Sequence, residues 1–131
     1  MELREEIEKN IELETILKDT DLVLEVDINL LEQVLINLVV NAIEAVKEKP
    51  HPRIVLSAFI GPNRKPVIKV ADNGNGMPAE VLEKIFIPFF STKKSGSGIG
   101  LSLSKQIMML HKGNIQVQSV EGEGTAFLLK F

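Results

Sequence analysis

Cysteine is absent from the chain. That excludes disulfides, thiol nucleophiles and thiolate zinc sites together, and it is compatible with a reducing cytoplasm. Histidine is scarce: His51 and His111 are the only two, and they do not form a helical pair. A histidine-based metal site is therefore not expected. A basic excess is also missing. The formal net charge is −3, whereas binding to a phosphate backbone ordinarily shows as a surplus of Lys and Arg, so no nucleic-acid partner is expected. No stretch reads as a membrane span, and the acidic opening MELREEIEKN is neither a signal nor a transit peptide. Internal repeats and low-complexity linkers are lacking as well.

What is present suits a single globular domain over residues 1–131. The chain is 44% hydrophobic and 25% charged, with both signs interspersed. Residues 1–9 read as the end of a helix, the remnant of a linker helix cut from a longer protein. NIELETI and LVLEV alternate apolar and acidic residues around the turn LKDTD, which predicts a hairpin. Asp27 can cap a long helix that runs to about Lys49 and is stopped by PHP. RIVLSAFI and PVIKVAD predict strands joined by the turn GPNRK. A short helix AEVLEKI follows Pro78, then comes the irregular FIPFFSTKKSGSG. A helix from about Ile99 to His111 ends near Gly113, and NIQVQS and TAFLLKF are the last strands. Helices and strands do not alternate regularly, so the fold class is α+β: a two-layer sandwich with about three helices on one face of a mixed, mostly antiparallel sheet.

Polar groups stand in apolar territory at several places. On the long helix, Leu31, Leu35, Leu38, Ala42 and Val46 project as a buried stripe. Asn37 and Asn41 lie along its margin, in a row continued by Gln33 and Glu44. Asparagine is a poor interior helix former. The pair either hydrogen-bonds a neighbouring loop or offers amide oxygens to a hard cation that also carries phosphate. In VIKVAD the period of two puts Ile68, Val70 and Asp72 on one face and Lys69 on the other. Asp72 then points toward the core, and a buried carboxylate needs donors. It is either the cap of the following turn or the acceptor for a ligand's N–H groups. Gly74 and Gly76 fit both alternatives. In SGSGIGLSLSKQIMML, Gly96, Gly98 and Gly100 lead into a helix start, a natural anion site, behind the solvated or phosphate-reaching pair Lys93 and Lys94. Thr125 shares its strand face with Phe127, Leu129 and Phe131, so it also faces inward.

The order of these features carries more than any one of them. Asn37 and Asn41 on the helix, DNGNGMP, IFIPFF, GSGIGLS and GEGTAF resemble the N, G1, F, G2 and G3 boxes of the catalytic ATP-binding domain of sensor histidine kinases, in the superfamily shared with gyrase, Hsp90 and MutL. NLVVNAIEAV with FFSTK looks most like the nitrogen-regulation-type subgroup. The resemblance implies a Bergerat-type ATP-binding fold. It implies that Asp72 accepts from the adenine amino group, with Thr125 helping through water, and that Gly74, Gly76 and Met77 lie against the nucleotide. It implies that Asn41 binds Mg²⁺ bridging the phosphates of ATP or ADP, supported by Asn37. Gly96, Ser97, Gly98, Ile99, Gly100 and Leu101 are implied at the phosphates. Phe86, Phe89 and Phe90 are implied as anchors of a short lid, Phe86 beside the nucleotide, with Lys93 or Lys94 touching the γ-phosphate. One departure is Glu44, where many relatives carry a basic residue; Lys47 projects away from that row.

The superfamily's ATP hydrolases and serine kinases place a glutamate, as base, one turn before the magnesium asparagine. Here Asn37 occupies that position, and an amide does not take a proton near neutral pH. The resemblance thus implies phosphoryl transfer to a histidine on a separate dimerisation domain, and a response regulator as partner of the full-length kinase. The fragment itself is expected to be monomeric and cytoplasmic, whether its parent is soluble or membrane-anchored. His111 is read as structural and His51 as a loop residue, neither being the phosphoacceptor. A serine/threonine kinase of the anti-sigma type and a degenerate protein-interaction module are the rival readings.

Overall fold

The computed structural model describes residues 11–90 and 99–131. Residues 1–9, read above as a helix end, and Lys93, Lys94, Gly96, Ser97 and Gly98 lie outside the described residues.

Strands β1 (Glu12–Leu17), β2 (Arg53–Ile60), β3 (Pro66–Asp72), β4 (Asn114–Val120) and β5 (Gly124–Lys130) form one sheet in the order β1-β2-β3-β5-β4. All pairings are antiparallel except β1 with β2. Helix α1 (Ile28–Val46), the single turn α2 (Ala79–Leu82), helix α3 (Gly100–Leu110) and a 3-10 turn at Pro62–Arg64 between β2 and β3 complete the described elements. This is the expected α+β arrangement of helices on a mostly antiparallel sheet.

The predicted hairpin does not form. β1 lies parallel to β2, which it can reach only after the chain has crossed over through α1. Asp19 marks the break: its carboxylate accepts from the Ile60 N–H at 2.7 Å, closing the β1–β2 ladder where the hairpin turn was expected. Residues 22–26 keep the alternation that suggested a strand, with Leu22, Leu24 and Val26 half-buried and Val23 and Glu25 exposed, but they carry no ladder. The period of two was genuine, and the partner was misassigned.

α1 begins where the sequence places it, with the Asp27 carboxylate accepting from the N–H groups of Asn29 at 3.0 Å and Leu30 at 3.1 Å. Its buried residues are Val34, Leu38, Val39, Ala42, Ile43 and Val46. Leu31 and Leu35 of the expected stripe are only partly buried. The buried arc is turned toward Val34, Val39 and Ile43 because the helix packs against α3 as well as the sheet. By length and composition α1 is apolar enough to cross a membrane, contrary to the reading of the sequence. In this structure that apolarity is spent on the core, where it meets Ile54, Val70, Ile107, Met108, Ile115, Phe127 and Leu129. Burying each such side chain contributes about 1.5–3 kcal/mol.

α3 ends in a Schellman motif: Gly113 N–H donates to Met108 O at 2.9 Å and Lys112 N–H to Met109 O at 3.0 Å. The left-handed residue is Lys112, with φ of 59°, rather than the glycine. A Cβ on Gly113 would stand 2.3 Å from the Lys130 carbonyl oxygen, so the glycine is held for sheet contact instead.

Candidate functional site

One row of side chains crosses the sheet near its end. Ile54 pairs with Asp72, Asp72 with Thr125, and Thr125 with Ser119. Directly paired residues share a face, and the same face carries buried Val70, Phe127 and Leu129. Asp72 therefore points to the helix-covered side, as the period of two required. Its Oδ1 accepts from the Gly74 N–H at 2.8 Å. The capping alternative is thus realised.

Beyond Asp72 the chain is threaded between α1 and the β4–β5 turn. A Cβ on Gly74 would lie 2.6 Å from the Ala45 carbonyl oxygen. Gly76 has φ of +67°, and its Cβ would fall 2.2 Å from the Val120 carbonyl oxygen. Both glycines are thus required first by the protein's own close packing. Asn73, left without a role by the sequence, ties this corner down. Its Oδ1 accepts from Arg53 N–H at 2.8 Å and its Nδ2 donates to His51 O at 2.7 Å. His51 accordingly sits at a structural corner.

Met77 N–H donates to Ser119 Oγ at 2.8 Å, and Ser119 Oγ lies 2.9 Å from Thr125 Oγ1. Ser119 was missed. Its signal was available, since Ile115, Val117 and Ser119 alternate inward along β4 as Thr125 and Phe127 do along β5.

The other end of the site is a meeting of helices. Asn37 Nδ2 donates to Gly100 O at 3.1 Å and to Ser104 Oγ at 3.2 Å, and Gln33 Nε2 donates to Asn37 Oδ1 at 3.0 Å. Asn37 is thus a cross-brace from α1 to the first turn of α3. Leu101, in that turn, packs against the core. Ile99 holds the N-cap position and supplies no side-chain acceptor, and a helix start of this kind favours an anion. Asn41 is half-buried one turn after Asn37, and Ala45, which touches Gly74, comes one turn later. At 1.5 Å per residue, the Asn37–Asn41–Ala45 row spans roughly 12 Å between the Gly100 end and the Gly74 end. The structure brings Asp72, Gly74, Gly76, Met77 and Thr125 to one end of that row and Asn37, Gly100 and Leu101 to the other, with Asn41 between.

Glu44 is not left to repel an anion alone. Lys47 Nζ reaches it at 3.0 Å, so the lysine expected to project away bends back to this row along its flexible stem. Of the aromatic residues, Phe86 packs on the core under Lys105, whose Nζ lies 5.4 Å from the ring centroid. Phe90 is half-buried. Phe89 is 76% exposed with φ of 69°. Both ring nitrogens of His111 are engaged: Nε2 accepts from Asp27 N–H at 3.0 Å, and Nδ1 lies 2.8 Å from Ile107 O. This fixes the Nδ1–H tautomer and a structural role. Among the described residues no group of three or more His, Cys, Asp or Glu could hold a metal, so a divalent ion here would take most of its ligands from a bound anion.

Comparison with known proteins fits this geometry. The family model described as "Histidine kinase-, DNA gyrase B-, and HSP90-like ATPase" matches residues 26–131. The signal transduction histidine-protein kinase AtoS of Escherichia coli K12 is 41% identical over 103 residues, which is 79% of this chain and 17% of AtoS. Sporulation kinase C of Bacillus subtilis is 40% identical over 119 residues, 90% of this chain and 27% of that kinase. The chain thus spans about a sixth to a quarter of the length of these relatives. The nucleotide-free catalytic domain of histidine kinase ThkA superposes with a TM-score of 0.84 at 36% identity, covering 98% of this chain and 85% of that one. ThkA in complex with the response regulator TrrA gives a TM-score of 0.79 at 34% identity over 98% of this chain and 36% of that one. With a family match over residues 26–131, and with the inward acid, the paired glycines and the asparagine row set along one margin of α1, the chain belongs to the family of histidine kinase-, DNA gyrase B- and HSP90-like ATPases.

Proposed function

We propose that this chain is the ATP·Mg²⁺-binding catalytic domain of a sensor histidine kinase and donates the γ-phosphoryl group to a histidine on a separate dimerisation domain. Asp72 accepts from the adenine amino group beside Thr125 and Met77. Asn41 ligates Mg²⁺ held between phosphate oxygens, and the first turn of α3 at Ile99, Gly100 and Leu101 meets the phosphates. Lys93, Lys94, Gly96, Ser97 and Gly98 belong to the same reading. When bound, the metal neutralises charge on the transferring group, and the protein's contribution is chiefly positioning. The full-length kinase would pass the phosphoryl group to a response regulator, and the isolated domain would be monomeric.

The observation that carries this reading is Asn37. It stands where a base would need to be and spends its amide on Gly100, Ser104 and Gln33. A side chain so committed, with no basic lone pair, does not activate water, which favours a nucleophile from outside. His111, with both nitrogens in use, does not supply it. Incubating the domain with γ-labelled ATP should leave it unlabelled, and adding its helical domain should yield acid-labile phosphohistidine on that domain. Label on the domain alone, or acid-stable label on the helical domain, would overturn the assignment.

A further inference from the structure

Glu44 stands about two turns beyond Asn37 on α1, at nearly the same angle around the helix. Seven residues at 100° each return to within roughly 20° of the start. Its carboxylate therefore shares the margin that carries Asn37 and Asn41. It also belongs to the last turn of the helix, which contains no basic residue. Carbonyl groups at a helix end add partial negative charge of their own. A half-buried carboxylate beside a row that faces phosphate is an electrostatic contradiction, because like charges repel at this range and solvent screens such a flank only in part.

Lys47 resolves the contradiction. It holds the C-cap position, and its Nζ donates to Glu44 Oε1 at 3.0 Å. The two side chains are 52% and 34% exposed, so the pair adds little to folding stability. What it alters is the charge that this flank of α1 presents. Two other lysines near the same helix and its neighbour are directed elsewhere: Lys49 Nζ donates to Gly122 O at 3.3 Å, and Lys105 Nζ lies over the Phe86 ring.

We propose that Lys47 is a positioning residue for a bound polyphosphate and acts through Glu44, whose charge it cancels on the margin shared with Asn37 and Asn41. Loss of the lysine charge exposes the carboxylate to the phosphates and weakens their binding, whereas loss of both charges restores it. The inference rests on the reading that nucleotide phosphates lie along this row.

Calorimetry with ADP and chemical-shift titration with adenosine test it on wild-type protein, Lys47→Met, Lys47→Arg, Glu44→Gln and the double variant Lys47→Met with Glu44→Gln. In EDTA at low salt, Lys47→Met should lose about three- to tenfold in ADP affinity and leave adenosine unchanged. The loss should shrink with Mg²⁺, which lowers the charge of the nucleotide, and fade at 1 M salt. Lys47→Arg and Glu44→Gln should bind ADP at least as well as wild type to within about twofold, and so should the double variant. An unchanged ADP affinity in Lys47→Met, or an equal loss for adenosine, would reduce the pair to a surface contact and refute the inference. A double variant as weak as Lys47→Met would refute action through Glu44. Wild-type protein that binds adenosine and ADP equally would remove the phosphates from this row, and wild-type protein that binds neither would remove the nucleotide site altogether.

Discussion

Asp72→Asn exchanges one oxygen for an amide nitrogen and leaves the strand pairing intact. The side chain can still cap Gly74, so stability should change little. A charge-assisted acceptor is lost, which should weaken ADP by about 10–100-fold, measurable by calorimetry. Asn41→Ala should act differently, removing the Mg²⁺ dependence of ADP binding while sparing what remains in EDTA; equal loss with and without the metal would contradict a ligand role. The directions of Asp72, Thr125 and the asparagine row were legible because strand and helix periods fix them before any partner is known. The inward direction of Ser119 was open to the same period and went unread, whereas the role of Asn73 was not legible, because its partners, Arg53 N–H and His51 O, become neighbours only when distant segments meet. The glycines were legible as positions that permit positive φ or let another backbone come close, and the backbones of Ala45 and Val120 are the ones that do.

At the scale of elements, local chemistry predicted caps and ends well and pairings less well. Asp27 capped α1 as read, and α3 ended within a residue or two of expectation. The hairpin failed because alternation says which face is buried and nothing about which strand lies alongside. Lys112 offers a test of the α3 terminus. Its φ of 59° is a left-handed conformation, which costs a lysine roughly 1 kcal/mol that glycine avoids. Lys112→Gly should therefore stabilise the domain by up to about 1 kcal/mol, seen as a higher midpoint in urea with an unchanged slope. His111→Ala should destabilise by about 0.5–1.5 kcal/mol, since the exposed Asp27 N–H exchanges its imidazole acceptor for water, and should not abolish phosphoryl transfer to an acceptor domain.

At the scale of the molecule, the nucleotide should be part of the stability. A ligand that binds only the native state adds about 2.7 kcal/mol at a hundredfold excess over its Kd, so ADP with Mg²⁺ should raise Tm in wild-type protein and hardly at all in Asp72→Asn. A shift of equal size in both would remove Asp72 from the site. The two ties between α1 and α3 have a mechanical consequence here. Asn37 and Asp27 are separated by ten positions, Gly100 and His111 by eleven, so the two rungs lie roughly 15 Å apart on antiparallel rods. Cutting either one leaves a pivot at the other. The base end rests on strands and is indifferent to such a swing, whereas the gap between Asn41 and the head of α3 is set by it. The crevice is thus a caliper with one fixed jaw and one adjustable jaw, and loosening the Asn37 rung should change the grip on a triphosphate while leaving the hold on a bare nucleoside as it was.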